Sequence, residues 1–154
     1  MSAVAAGAKP LAIHASAVVI GEDAVLLRGP SGAGKSALAL ALVAAARARG
    51  RFARLVADDR VLLQPAGDRL VVMPHPAIAG RIERRFVGIA AMTHEARALA
   101  RLVVDLEPAA AGLVRLPDVT DTVLAGVRLR RIVLPAGHPG AAEAVLHTLA
   151  KSAG

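Results

Sequence analysis

One loop of the sequence combines glycines, a lysine and a serine at the spacing that cradles a phosphate. Residues 29–36 read Gly-Pro-Ser-Gly-Ala-Gly-Lys-Ser and match the pattern G-x-x-x-x-G-K-[ST] at every fixed position. The glycines let backbone N–H groups turn inward around an anion, Lys35 carries charge to the β- and γ-phosphates, and the Ser36 hydroxyl can hold Mg²⁺. We therefore predict a nucleotide site formed by the whole loop: Gly29, Pro30, Ser31, Gly32, Ala33, Gly34, Lys35 and Ser36.

Two adjacent acids, Asp58 and Asp59, follow a short apolar stretch at residues 54–57. Phosphoryl transfer needs one carboxylate near the Mg²⁺ ion and another that accepts the proton of the incoming hydroxyl. Because neighbouring strand residues point to opposite faces, we expect only one of the two to face the phosphate. The alternative is a pair of acids in a surface turn or helix cap.

The elements that must position these residues follow from the apolar pattern and the turn residues. A buried strand at 24–27 precedes the phosphate loop, and a helix over 36–49 follows it and ends near Gly50. Residues 11–20 are predicted to form one strand that carries His14 and makes a hairpin with residues 24–28. The other predicted segments are strands at 54–57, 69–73, 102–106 and 127–134, extended chain at 60–64, a short helix and loop within 77–89, a helical turn or loop at 93–100, and a helix at 141–151. This order predicts an α/β fold with a mixed sheet and flanking helices.

Composition restricts the possible classes of protein. The chain has 154 residues, 55% of them hydrophobic, which predicts one folded domain at 11–154 after a flexible tail at 1–10. There is no cysteine, which excludes disulfides, thiolate catalysis and cysteine zinc sites, and aromatic residues make up only 1%, which argues against stacking on single-stranded nucleic acid. We interpret the net charge of +7 mainly as a solvated arginine-rich surface. The longest apolar run, 37–46, is half of the roughly 20 residues a membrane span needs, so we expect a cytoplasmic protein with no membrane partner.

Four further residues are candidates for chemistry. His14 lies on the strand predicted to pair with the strand before the loop and could reach the same edge of the sheet, although such a histidine is more often an ordinary partly buried residue. Glu83 and Arg85 are two positions apart and could face one metal and phosphate, or belong to a surface cluster of ion pairs. Arg115 follows an alanine- and glycine-rich loop and is a weaker candidate for stabilising charge.

Taken together, these motifs resemble the HPr kinase/phosphorylase family, in its short form with only the C-terminal catalytic domain. The resemblance rests on four segments in the family's order and spacing, and it covers about half of the chain. The segments are His14-Ala-Ser-Ala-Val, the phosphate loop, Leu55-Val-Ala-Asp-Asp-Arg60 and Ile82-Glu-Arg-Arg-Phe-Val-Gly-Ile89.

The resemblance implies a kinase that uses ATP and Mg²⁺ to phosphorylate a serine of HPr, the phosphocarrier protein of the sugar phosphotransferase system. Many members also reverse the reaction by phosphorolysis, many assemble as hexamers, and the family fold is related to the phosphoenolpyruvate carboxykinase core. The residue roles implied are Asp59 as catalytic acid/base, Asp58 as its support or part of the metal shell, His14 beside that acid, Ser36 and Glu83 as Mg²⁺ ligands, and Arg85 and Arg115 as residues that stabilise charge or place the partner.

Two other functions stay open from the sequence. One is a small-metabolite kinase on the same phosphate-loop scaffold. The other is a non-catalytic nucleotide-binding regulator or a basic nucleic-acid-binding ATPase, for which the net charge of +7 is the motive.

Overall fold

The structure, a computed structural model, describes residues 9–76, 79, 81–84, 88–91, 95–108 and 118–152. Within these ranges the chain forms a mixed sheet, a separate short hairpin and two helices. The elements are β1 Leu11–Ile13, β2 Ser16–Ile20, β3 Asp23–Arg28, α1 Lys35–Ala48, β4 Ala53–Ala57, β5 Val61–Ala66, β6 Arg69–Pro74, β7 Arg81–Arg84, β8 Gly88–Ala91, β9 Ala98–Glu107, β10 Thr120–Leu124, β11 Val127–Pro135 and α2 Ala141–Ser152.

The main sheet has the strand order β1-β5-β6-β9-β3-β2-β4. β9 runs parallel to β3 along one edge, and its other edge pairs first with β6, antiparallel, and then with β11, parallel. β10 pairs with β11, antiparallel, and β7 and β8 form the separate hairpin. The predicted α/β class with a mixed sheet is confirmed.

Strand direction gathers the candidate residues at one edge of this sheet. β2 lies between β3 and β4 and is antiparallel to both, so β3 and β4 run in the same direction. The carboxyl ends of β3 and β4 therefore lie beside the amino end of β2. The phosphate loop, the two acids and Ser16 all occur at these strand ends, which brings them to a common edge.

The sheet is buried on both faces. Helices α1 and α2 cover one face, where Leu42 and Leu149 pack with Val25 and Val104. The other face holds a second apolar cluster in which Leu26 and Val103 join side chains of β5 and β6. Full burial of an aliphatic side chain contributes about 1.5–3 kcal/mol, so these two clusters are a main source of the sheet's rigidity.

Helix α1 ends in a Schellman motif, as the position of Gly50 in the sequence predicts. The Gly50 N–H donates to the Arg47 carbonyl (2.9 Å) and the Arg51 N–H donates to the Ala46 carbonyl (3.0 Å). Gly50 has φ +73°, a conformation that glycine adopts without a Cβ clash.

Several sequence-based boundaries are wrong. The single strand expected at 11–20 is two strands with different partners, because the chain bends at His14 and Ala15: β1 pairs with β5, and β2 pairs with β3 and β4. His14 therefore lies in the bend and not on the strand next to β3. Within the range 77–89, where a short helix and a loop were expected, residues 81–84 and 88–89 belong to the β7–β8 hairpin, and residues 77, 78, 80 and 85–87 lie outside the described residues. Strand β10 was not predicted.

No helix in the described part of the chain is long and apolar enough to cross a membrane. The expected tail at 1–10 falls mostly outside the described residues, which begin at residue 9.

Candidate active site

The phosphate loop is pinned at its start and end. Lys35 is buried, and its Nζ donates to the carbonyl oxygens of Gly29 (2.7 Å) and Pro30 (3.3 Å). The Ala33 N–H donates to the Pro30 carbonyl (3.0 Å), and α1 begins at Lys35. The loop thus connects β3 directly to the amino end of a helix, which is the arrangement that binds phosphate through backbone N–H groups and the helix dipole.

Gly29 packs directly against the end of β9. A Cβ at this position would lie 2.9 Å from the Leu106 carbonyl oxygen and 3.1 Å from the Ala33 Cβ. Since real Cβ atoms do not approach a backbone oxygen so closely, only glycine fits without a shift of the loop or of β9. The glycine at the start of the motif is therefore explained by close packing of the loop against the end of β9.

Asp58 connects the acidic pair to the phosphate loop. The residue is buried at 5% exposure, and its Oδ1 accepts hydrogen bonds from the hydroxyls of Ser36 (2.6 Å) and Ser16 (2.8 Å). The structure thus joins the loop serine, which the motif predicts to be a Mg²⁺ ligand, to a buried carboxylate 22 residues away.

Asp59 presents its carboxyl on the other side of the turn, to solvent. Its φ of +63° lies in the left-handed region, and the Arg60 N–H donates to the Asp58 carbonyl (2.7 Å), so Asp59 is the central residue of a γ-turn. The Asp59 Oδ1 lies 3.6 Å from the His14 Nδ1, and the two side chains are 60% and 73% exposed. The two acids therefore have different surroundings, one buried against the loop and the other accessible to an incoming molecule.

The oxygen donors at this edge fit a magnesium ion that a nucleotide brings with it. Mg²⁺ usually takes one or two protein oxygens and completes its octahedron with phosphates and water. Ser36 and Asp58 supply oxygens of this kind beside the loop. The described residues contain no group of three or more histidine, cysteine or acidic side chains placed to hold a metal ion.

Some predicted site residues cannot be located. Glu83 lies on β7, but its side chain is outside the described part of the structure. Arg85 and Arg115 fall outside the described residues altogether. Their roles stay predictions.

Three charged residues form a cluster where β3 enters the phosphate loop, and the sequence analysis did not predict this cluster. Asp105 on β9 accepts hydrogen bonds from Arg28 through Nε (2.7 Å) and Nη2 (2.8 Å), and from the Arg131 Nε (2.5 Å). Burial by itself would raise the pKa of Asp105, but the hydrogen bonds and charges of the two arginines hold it below its usual value. Because Arg28 immediately precedes Gly29, this cluster ties the carboxyl ends of β3 and β9 to the middle of β11 beside the loop.

Ser16 was also overlooked as a site residue. It lies in the His14-Ala-Ser segment that marks the resemblance, yet the sequence gives no sign that its hydroxyl contacts residues 58 and 59.

The model of the HPr serine kinase C-terminal domain family matches residues 6–136. The chain belongs to this family. The match spans the phosphate loop, both acids and strands β1–β11, and it leaves helix α2 outside.

Among solved structures, the chain is similar to the HPr(Ser) kinase/phosphatase from Coxiella burnetii. The TM-score is 0.75 and the identity 24%, with 94% of this chain and 99% of that chain covered. At this identity the likeness shows the fold alone, and that fold is the predicted mixed α/β one. No curated protein sequence matches the chain.

Proposed function

We propose that the chain is a protein-serine kinase that transfers the γ-phosphoryl group of Mg²⁺-ATP to HPr, the substrate for which its family is named. One observation carries the proposal: a buried acid bonded to the loop serine and an exposed acid next to it lie at the same sheet edge. Phosphoryl transfer depends on positioning and on neutralising charge, and this arrangement provides residues for both.

Nucleotide binding is assigned to the loop. Its backbone N–H groups and Lys35 would hold the phosphates, which requires Lys35 to exchange its bonds to the Gly29 and Pro30 carbonyls for phosphate oxygens. Ser36 and Asp58 would hold Mg²⁺, and the bound ion would neutralise part of the phosphate charge. Glu83 is proposed as a further ligand, and Arg85 and Arg115 as charge-stabilising residues, on the family resemblance alone.

Asp59 is proposed as the general base. The serine Oγ of the acceptor forms a bond to the γ-phosphorus, the bond from that phosphorus to the β–γ bridging oxygen breaks, and ADP leaves. The serine proton passes to the Asp59 carboxylate, which is 60% exposed and can release it to solvent. Asp58 is less suited to this role because it is buried and its Oδ1 already accepts hydrogen bonds from two hydroxyls. His14, 3.6 Å away, would assist Asp59 and the phosphate.

The test is incubation of the purified protein with labelled ATP, Mg²⁺ and HPr, followed by mass spectrometry to locate phosphoserine. In Asp59→Asn, transfer should fall about 10²–10⁴-fold while nucleotide affinity is retained, since the general base is lost and the loop is intact. Asp68→Asn is the matched control, because Asp68 is an exposed acid in the β5–β6 turn and asparagine suits turns.

Three results would contradict the proposal. Full transfer in Asp59→Asn would refute the base assignment. Turnover of a small hydroxyl compound without any transfer to HPr would indicate a small-metabolite kinase. Nucleotide binding without transfer to either would indicate a non-catalytic regulator. Addition of inorganic phosphate to phosphorylated HPr, with release of pyrophosphate measured, tests the reverse phosphorolysis.

A further inference from the structure

Ser16 occupies a central position among the acids although it is not itself acidic. It is the first residue of β2 and is fully buried. Its hydroxyl donates to the Asp58 Oδ1 (2.8 Å) and accepts from the Asp59 backbone N–H (3.1 Å). One side chain therefore contacts the carboxylate of the first acid and the backbone of the second, across 42 and 43 positions of sequence.

The backbone that Ser16 contacts is in an uncommon conformation. Positive φ is unusual for a residue with a Cβ, although aspartate tolerates it better than most, and a γ-turn with positive φ is rare and strained. Such a turn persists only where the surroundings hold it. A buried hydroxyl that accepts the N–H of the central residue is support of this kind.

The direction of the Asp59 carboxyl depends on this turn. A left-handed residue projects its Cβ differently from the extended residues before it, and here Asp58 contacts the loop serine while Asp59 faces solvent and His14. If residue 59 relaxed to ordinary extended backbone, its side chain would change direction. The hydroxyl of Ser16 is thus connected to the geometry of the proposed base and not only to the stability of the fold.

We propose that Ser16 is a positioning residue for phosphoryl transfer: its hydroxyl, anchored on the Asp58 carboxylate, holds the Asp59 turn in its left-handed form. This proposal rests on the proposed kinase function, because it assigns Ser16 an effect through Asp59. Ser16 contacts neither nucleotide nor acceptor in this scheme. Its removal should lower kcat and leave the affinity for ATP nearly unchanged.

The first experiment compares Ser16→Ala with Thr148→Val in the full chain. Thr148 is also buried, and its Oγ1 donates to the Ala144 carbonyl (2.8 Å) within α2, so its replacement also removes a buried hydroxyl but leaves the acids alone. Ser16→Ala should lower kcat for HPr phosphorylation about tenfold, which is the rate equivalent of one hydrogen bond, and change the dissociation constant for ATP less than twofold. Thr148→Val should leave kcat unchanged at a temperature where both variants are folded by circular dichroism.

Ser16→Cys provides a second variant of nearly the same shape. Because a thiol is a weak donor and acceptor, kcat should fall here too, by less than in Ser16→Ala. The chain has no other cysteine, so no disulfide can form within the variant. In both variants the ¹H–¹⁵N amide resonance of Asp59 should shift and its hydrogen exchange should accelerate, whereas Thr148→Val should leave that amide unchanged.

A double-mutant cycle separates this inference from the proposed function. If Ser16 acts through Asp59, adding Ser16→Ala to Asp59→Asn should lower kcat no further than Asp59→Asn alone. A further tenfold loss in the double variant, or unchanged kcat in both Ser16 variants, would overturn the positioning role while leaving the kinase proposal intact. Full activity of Asp59→Asn would instead refute the base assignment itself.

Discussion

Replacing Asp105 with asparagine tests the carboxylate that joins two arginines at the base of the phosphate loop. The Asp105 side chain is 16% exposed, and those of Arg28 and Arg131 are 27% and 29% exposed, so the cluster is largely shielded from solvent. Asparagine keeps the shape but replaces one acceptor oxygen with an NH₂ group, which faces guanidinium donors. The variant therefore removes the charge and part of the hydrogen bonding at once.

The expected loss of unfolding free energy at pH 7 is about 2 kcal/mol, since hydrogen bonds to charged groups contribute roughly 1.5–3 kcal/mol and the amide retains part of the contact. For a domain of this length, that corresponds to a fall in Tm of about 4–8 °C. The change should be measured by thermal and urea unfolding of the same preparations.

The difference in unfolding free energy between the wild type and Asp105→Asn should also depend on pH, and it should become smaller in acid. The pKa of Asp105 is lowered in the folded protein, so the stability it contributes is fully present above the unfolded value, about 3.9. That contribution disappears as the pH falls through the folded pKa, where the carboxyl becomes protonated and neutral like asparagine. The difference in unfolding free energy between the wild type and Asp105→Asn should therefore be constant from pH 7 to about pH 5 and should decrease below about pH 4.

Glu143→Gln is the control for removal of an ordinary ion-pair carboxylate. Glu143 pairs with Arg49, but the two side chains are 65% and 45% exposed, so the loss should stay below about 1 kcal/mol. Equal losses in the two variants, or a gap for Asp105→Asn that is the same at pH 7 and pH 3, would refute the assignment of stability to the charged cluster.

Two further changes test the packing that supports the site. Gly29→Ala places a Cβ 2.9 Å from the Leu106 carbonyl oxygen, so the free energy of unfolding measured in urea should fall by about 1–3 kcal/mol. Nucleotide binding measured by fluorescence titration should also weaken. If neither quantity changes, β9 moves aside without cost. Leu42→Ala leaves a cavity between α1 and the sheet, because Leu42 is fully buried, and should cost about 2–5 kcal/mol in the same unfolding assay. A loss below 1 kcal/mol there would mean that α1 settles into the space.

The sequence predicted the loop and its flanking elements well because their signals are local. The strand, loop and helix can be predicted without reference to distant residues. The signals are the fixed spacing of Gly29, Gly34, Lys35 and Ser36, the apolar run before them, and the alanine- and leucine-rich run after them. Gly50 is a local signal of the same kind, because its position predicts the end of α1. The family resemblance, based on such local segments, was confirmed by the family model.

The errors occur where the partner of a segment is distant in sequence. Residues 11–20 are apolar except for His14 and Ser16, and nothing local shows that the chain bends at His14, so that β1 pairs with β5 while β2 lies between β3 and β4. Strand β10 escaped notice for a related reason: its side chains are exposed or half-buried, and it becomes a strand by pairing with β11.

What the sequence alone determined is the set of residues available for chemistry: a loop with the phosphate-binding pattern, two acids and the family to which the chain belongs. Only the tertiary structure decided that the two acids have different surroundings: Asp58 contacts Ser36, and Asp59 is exposed to solvent. It also brought Ser16 to both acids and Arg131 to Asp105. The physical reason is that hydrogen bonds between side chains depend on sheet order and backbone dihedral angles, which long-range strand pairing sets and which no local pattern of residues encodes.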